Sequence, residues 1–428
     1  MDFDEERQDP PAAQSKGAFT PPNGGVKAWS CVAGAFLLQF CSFGYINACG
    51  IFQYHYQEVL LKDHSSSSLA WITTLQVFLL FLFGPIVGQL IDVYGAQRIT
   101  IPFSTFAIFA VCMLSLCTKY WQVILAQGVA FGIASSGLAL PALVLANQWF
   151  SSKKGLATGL VSSGSSLGGV IYPFMIPRLI SSVGFPAAVR WTALMQGILL
   201  IIANTLVSTP FEPKGWQKKQ QSAGFKALKS WPWLAFTVGC FFVFWGLFSP
   251  FNYLPEMAAQ SGIDLQLAQY TLAVVNAGSV VGRIVPGFLS DHIGQFNMSY
   301  MVSNLSGILI LAFWIPMEYY PSPAGIFIFA FLYGFASGGI VSLAPPCVVE
   351  LADRKVEELG AKLGGWSLTV AFGSLTGLPI AGAIKDHGGP GQGFVGLMIF
   401  SGAALLLGAS LSGVTRVLRG GWSIFKKV

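Results

Sequence analysis

Apolar residues gather in runs of about 20, the length that carries an α-helix across a hydrocarbon core of roughly 30 Å. Six runs cover 28–52, 69–91, 99–118, 121–146, 155–180 and 191–209, and six more cover 231–257, 266–290, 298–316, 322–349, 363–385 and 393–415. Between the two sets, Pro210 to Ser230 is polar and lysine-rich. The pattern predicts an all-α membrane protein of twelve transmembrane helices in two six-helix halves. The expected organisation is an N-terminal tail over 1–27, a first half over 28–209, a linker over 210–230, a second half over 231–417 and a C-terminal tail over 418–428. The first tail begins acidic and carries Pro10, Pro11, Pro21 and Pro22, whereas a secretory signal opens with positive charge and an apolar core. It is expected to be disordered, which leaves the first membrane helix as the targeting element.

Lysine and arginine orient the bundle, because basic residues collect on the cytoplasmic side. With both termini inside, that side holds 18 of the 24 basic residues, five of them lysines of the 210–230 linker. Lys62, Lys119, Arg178, Arg190 and Lys385 fall outside, and Arg283 alone lies deep within a span. A multi-pass protein of the cell membrane with cytoplasmic termini is therefore expected. The glycosylation-type triplets at Asn297 and Asn304 fall at a cytoplasmic loop or within a span and should carry no sugar.

Composition closes off other classes. Hydrophobic residues make up 54% of the chain and charged ones 10%, with a mean hydropathy of +0.63, against roughly a quarter charged in a soluble domain. Thirty-five Phe, 12 Trp and 12 Tyr are more apolar surface than a soluble fold of this length hides. The lipid bilayer is the expected solvent. The net charge of +6 is modest and no basic stretch interleaves with aromatic residues, so nucleic acid is excluded as a partner. All seven cysteines lie in apolar runs, and His55, His64, His292 and His387 lack metal-ligand spacing. No disulfide, metal or cofactor is expected.

One motif occurs twice. The turn after the second run reads Gly88-Gln-Leu-Ile-Asp92-Val-Tyr-Gly95-Ala-Gln-Arg98, and the turn after the eighth reads Gly287-Phe-Leu-Ser-Asp291-His-Ile-Gly294, an offset of 199 residues from Gly88 to Gly287. Glycine allows a tight turn and close helix approach, and the aspartate can pair with a basic group or cap a neighbouring helix terminus. Two copies at equivalent positions read as a duplicated conformational latch. Pairs four apart, such as Gly278/Gly282 and Gly334/Gly338, fit helices that pack closely.

This duplicated Gly-x-x-x-Asp-x-x-Gly turn and the six-plus-six layout resemble the major facilitator superfamily over nearly the whole chain. The resemblance implies two halves rocking about a central site near the membrane midplane, with the Asp-Gly turns locking the cytoplasmic side. Entering the fifth run, Trp149-Phe150-Ser-Ser-Lys153-Lys154-Gly155-Leu156-Ala157-Thr158-Gly159, followed by Gly164 and Gly168, is similar to the monocarboxylate porter signature. Asn23-Gly24-Gly25-Val26-Lys27-Ala28-Trp29 keeps half of a second signature, acidic-Gly-Gly-aromatic-Gly-Trp. The chain thus resembles the fungal monocarboxylate porter-like carriers. In proton-coupled members of that family a lysine in the first span and an aspartate four residues before an arginine in the eighth handle proton and carboxylate. Here the arginine matches as Arg283, but Ser279 stands where the aspartate would be and Asn47 is nearest to the lysine's place. A proton as coupling ion and proton-free diffusion both stay open.

Arg283 is the first candidate for binding substrate, as a fixed charge that grips an anion bidentately. The alternative is a structural arginine, eight residues or about 12 Å along the helix before Asp291, that snorkels toward the cytoplasm. Asn47, Asn276, Asn252 and Tyr253 are further candidates; each either lines the cavity or makes an interhelical hydrogen bond that only holds the bundle. The aromatic run Phe241, Phe242, Phe244, Trp245, Phe248 and Phe251 is expected to face lipid or neighbouring helices, and Pro250 and Pro255 to break the seventh helix. No phosphate-cradling loop or clustered nucleophile and base points to an enzyme. The leading expectation is a secondary active or facilitative carrier of a small organic molecule, a monocarboxylate-like organic anion, working by alternating access. The alternatives are an exporter of a larger secondary metabolite or drug-like compound and, remotely, a non-transporting nutrient sensor.

Overall fold

The computed structural model describes residues 22–64, 66–210, 230–352, 356–387, 393–422 and 427. Twelve helices among them are long and apolar enough to cross a membrane. The first six are α1 Val26–Leu60, α2 Trp71–Ile91, α3 Ala96–Leu114, α4 Tyr120–Trp149, α5 Lys154–Val183 and α6 Phe185–Leu206. The second six are α7 Trp231–Gln260, α8 Leu267–Ile293, α9 Gln295–Tyr319, α10 Pro323–Leu351, α11 Lys362–Asp386 and α12 Val395–Gly420. The helix count and the all-α class agree with the apolar pattern. The tail at 1–21, the linker at 211–229 and the Asp92 side chain, on which earlier expectations rest, lie outside the described residues.

The chain turns back on itself at single glycines. Gly95 joins α2 to α3 with φ 82°, Gly184 joins α5 to α6 with φ 79° and Gly294 joins α8 to α9 with φ 105°. A side chain would strain the backbone there, which accounts for the second glycine of each repeat copy. Asn23 pins the start of α1 to the α4–α5 turn: its Oδ1 accepts from the Ser151 and Ser152 amides (2.6 and 3.0 Å), and its own amide donates to the Trp149 carbonyl. Trp149 in turn donates from Nε1 to the Ser208 carbonyl, and Thr415 bonds Pro232, so this end of the bundle gathers both the start of α1 and the α6–α7 connection. It is called the inner end below.

Two apolar cores form, one drawn from residues between Ala28 and Val207 and the other from residues between Trp233 and Leu405. Two seams join them, α5 against α8 with α10 beside them, and α2 against α11. The α5–α8 seam depends on missing side chains. A Cβ on Gly155 would collide with the Gly287 carbonyl, and one on Gly159 with the Arg283 carbonyl. Contact continues to the outer end, where Phe174 and Tyr270 stack at 5.2 Å.

The first helix of each half is broken at mid-height. Within α1 the regular helix stops at Cys41 and resumes over Phe43–Ile46, with Ser42 at φ −96°, ψ −88° donating to the Leu38 carbonyl. Within α7 it stops at Leu247 and restarts at Ser249–Gln260. Pro250 sits in the first turn of the restarted helix, where its missing N–H costs nothing. The expected break thus falls at Phe248, and Pro255 rides inside the outer segment instead of interrupting it.

Candidate functional site

The two broken helices, together with α8 and α10, enclose a cavity between the halves. Phe43 and Asn47 come from α1, Leu247, Phe248 and Phe251 from α7, Ser279 and Arg283 from α8, and Ser337 and Val341 from α10. Its free volume is about 10 Å³, far below the roughly 300–1,000 Å³ of ordinary ligand sites. The α5–α8 seam is shut along its length, and the site must widen to admit a substrate.

Arg283 is the only charge on this wall and is 4% exposed. Its Nη1 donates to the Ser162 carbonyl (2.7 Å) and Ser165 Oγ (2.6 Å) across the seam on α5, and its Nε donates to Ser279 Oγ (3.2 Å) one turn back. Ser166 and Ser279 complete the bridge, Oγ to Oγ at 3.0 Å. Among the described residues no carboxylate pairs with the guanidinium, and Nη2 has no acceptor. Burying a charge without a counter-ion is costly unless its hydrogen bonds are met. Three neutral acceptors meet part of that need, and two N–H donors are left for a ligand.

Of the other expected site residues, the structure brings only Asn47 to Arg283's cavity, where its Nδ2 donates to the Ser165 carbonyl at 3.3 Å. Asn276 is buried against Gly169 of α5 and donates to its own helix at Leu272. Asn252 is exposed and bonds the Phe248 carbonyl. Tyr253 packs toward α11, where Lys385 lies 5.5 Å from its ring centre and ion-pairs with Glu256. The aromatic run divides. Trp245 donates to Thr376 on α11 and Phe244 packs on Phe81, whereas Phe248 and Phe251 turn into the cavity, against the expectation for the run. Phe248 sits at the break in α7 with Phe251 three residues beyond it, much as Phe43 and Asn47, four apart, follow the break in α1. Ser162 and Ser165 lie between the glycines of the signature, and nothing in their type announces a bond to Arg283.

Of the two roles expected for the aspartate of the repeated turn, Asp291 takes the second. The Asp291 carboxylate caps the first turn of α5, Oδ1 accepting from the Gly155 amide (2.8 Å) and Oδ2 from the Leu156 amide (3.0 Å). Negative charge at a helix N-terminus satisfies orphan donors and opposes the positive end of the helix dipole. Gly287 lies against Gly155, a Cβ there coming 2.5 Å from the Gly155 carbonyl. Gly88 is buried in α2 and Arg98 is exposed at the start of α3. The signature residues divide by face. Gly155 and Gly159 meet α8, while Gly164 and Gly168 meet α1 at Phe36 and Gly44. Phe150 packs its ring 5.0 Å from Trp29, Ala157 and Lys154 are buried, and Lys153 is exposed.

A sequence profile described as Major Facilitator Superfamily matches residues 29–355 and 234–420. The MFS-type transporter hasB of Aspergillus fumigatus is 63% identical over 420 residues, which span 95% of this chain and 93% of that protein. The fujikurins efflux protein of Gibberella fujikuroi is 37% identical over 97% of this chain and 87% of its own length. The aspyridones efflux protein apdF of Emericella nidulans is 38% identical over 96% of this chain and 81% of its own.

Proposed function

The chain belongs to the major facilitator superfamily and is a multi-pass membrane transporter, not an enzyme, and we propose that it exports an acidic secondary metabolite with an aromatic or otherwise apolar body by alternating access. The observation that carries this reading is the cavity itself: Arg283, with unused donors, at one side of a wall built by Phe43, Phe248 and Phe251. A guanidinium fork suits a carboxylate or a similarly delocalised anion, and the phenyl rings suit a flat apolar remainder. Relatives named as efflux proteins of secondary metabolites favour the exporter over the monocarboxylate-like carrier. In this reading the membrane is the cell membrane, the inner end faces the cytoplasm, and each half moves as a unit. Substrate enters when the Asp291 cap and the inner α5–α8 crossing separate, and leaves when the outer end of the seam opens.

A thermal-shift screen of the purified protein tests recognition, pairing fungal aromatic acids with their methyl esters. A ligand at 100 times its Kd stabilises the folded state by about 2.7 kcal/mol, so the acids should raise the Tm and the esters should not. Stabilisation by neutral bulky compounds alone would contradict the acid reading. For direction, cells loaded with a stabilising acid should lose it faster when they make the protein; equal rates would contradict export.

A further inference from the structure

We infer that the substrate crosses as an unaccompanied anion, so that export is electrogenic and requires no proton; this rests on the acid-bearing substrate proposed above. The groups around Arg283 come from five helices. They are Phe43 and Asn47 of α1, Ser162, Ser165 and Ser166 of α5, Leu247, Phe248 and Phe251 of α7, Ser279 of α8, and Ser337 and Val341 of α10. None of them takes up or releases a proton near neutral pH. The phenol of Tyr333, one turn before Ser337 on α10, donates to the Leu247 carbonyl at 2.7 Å. Charged side chains on these helices otherwise lie toward their ends: Lys27 and Glu58 on α1, Lys154 and Arg178 on α5, Glu256 on α7, Asp291 on α8 and Glu350 on α10.

The guanidinium itself does not deprotonate. The empty site therefore holds one positive charge, and a monovalent acid brings it to zero. When the anion leaves, Ser162, Ser165 and Ser279 hold the guanidinium, and among the described residues no carboxylate or imidazole lines the cavity to exchange a proton with either side. One negative charge crosses per molecule. An inside-negative potential drives that charge outward, and a tenfold concentration ratio of a monovalent anion corresponds to roughly 60 mV.

The test uses the full-length protein in liposomes with 2-naphthalenesulfonate, an aromatic anion that stays ionised at every working pH. A potassium gradient with valinomycin sets the potential while pH is equal on both sides. The expected result is accumulation on the positive side, tenfold for roughly 60 mV, insensitive to a protonophore and absent in Arg283→Gln. Arg283→Lys, which keeps the charge, should retain a potential response. Accumulation only under an imposed pH gradient would overturn the proton-free inference while leaving the anion site standing. Absence of both saturable uptake and binding would overturn the anion site and the inference together. Ser279→Asp provides an independent check. Its carboxylate would sit beside Nε, already 3.2 Å from Ser279 Oγ, and compete with the anion until protonated. The guanidinium holds a neighbouring carboxylate ionised, so anion binding at about pH 7 should fall at least tenfold in the variant while the wild type keeps a flat pH profile, and unchanged binding in the variant would contradict the cradle.

Discussion

The two seams that join the halves are chemically unlike. Between α5 and α8 lie glycines, serine hydroxyls, the Arg283 guanidinium and the Asp291 cap. Between α2 and α11 lie aromatic rings, Phe78 on Phe372 at 5.8 Å and Phe81 on Trp366 at 6.2 Å, beside close crossings of Gly84 on Ser367 and Gly364 on Pro85 and a hydrogen bond from Ser367 Oγ to the Phe81 carbonyl. A polar seam can exchange its hydrogen bonds for water or ligand at small net cost. An apolar seam inside a bilayer gains little from lipid exclusion and is held chiefly by close packing. The difference supports the proposal that recognition and locking concentrate on α5–α8, with α2–α11 as the surface on which the halves would slide.

Substitutions separate the two roles. Arg283→Gln should have the largest effect. It removes two charge-assisted bonds to the substrate, each about 1.5–3 kcal/mol, and binding of an acid should fall at least a hundredfold while the protein stays folded. Unchanged binding would make the arginine structural. Gly159→Leu comes next, because its Cβ meets the Arg283 carbonyl. Overpacking of this kind costs about 1–3 kcal/mol, and it should lower the Tm and leave exposed Ser152, replaced by cysteine, more reactive to an impermeant thiol reagent. Asp291→Ala should open the inner end more modestly, since loss of a helix cap costs about 1 kcal/mol, roughly a fivefold shift in labelling rate. Ser367→Ala, on the aromatic seam, should change labelling least. A larger effect there than at Asp291 would reverse the assignment of roles.

Much of this was legible in the chain. Spans follow from run length, and the repeat from two aspartates and two glycine turns at one offset. Arg283 announced itself by being the only charge far from a span end. What escaped was phase. Asn252 and Phe251 are neighbours, yet Phe251 lines the cavity and Asn252 is exposed, because adjacent residues on a helix point about 100° apart. The breaks at Ser42 and Phe248 reset that phase, and periodicity counted through them misplaces every side chain beyond. For Asp291 the chain left two roles open, an ion pair or a helix cap, and the glycine crossing of Gly155 and Gly287 decides between them by bringing helix amides within its reach.

The central claim is that one guanidinium, held by neutral serines, recognises the acid group of the substrate. The most direct test compares the Kd of a stabilising acid with that of its isosteric amide, in the wild type and in Arg283→Gln. The account predicts acid binding at least a hundredfold tighter than amide in the wild type and equal binding in the variant. Equal Kd values for acid and amide in the wild type would contradict it.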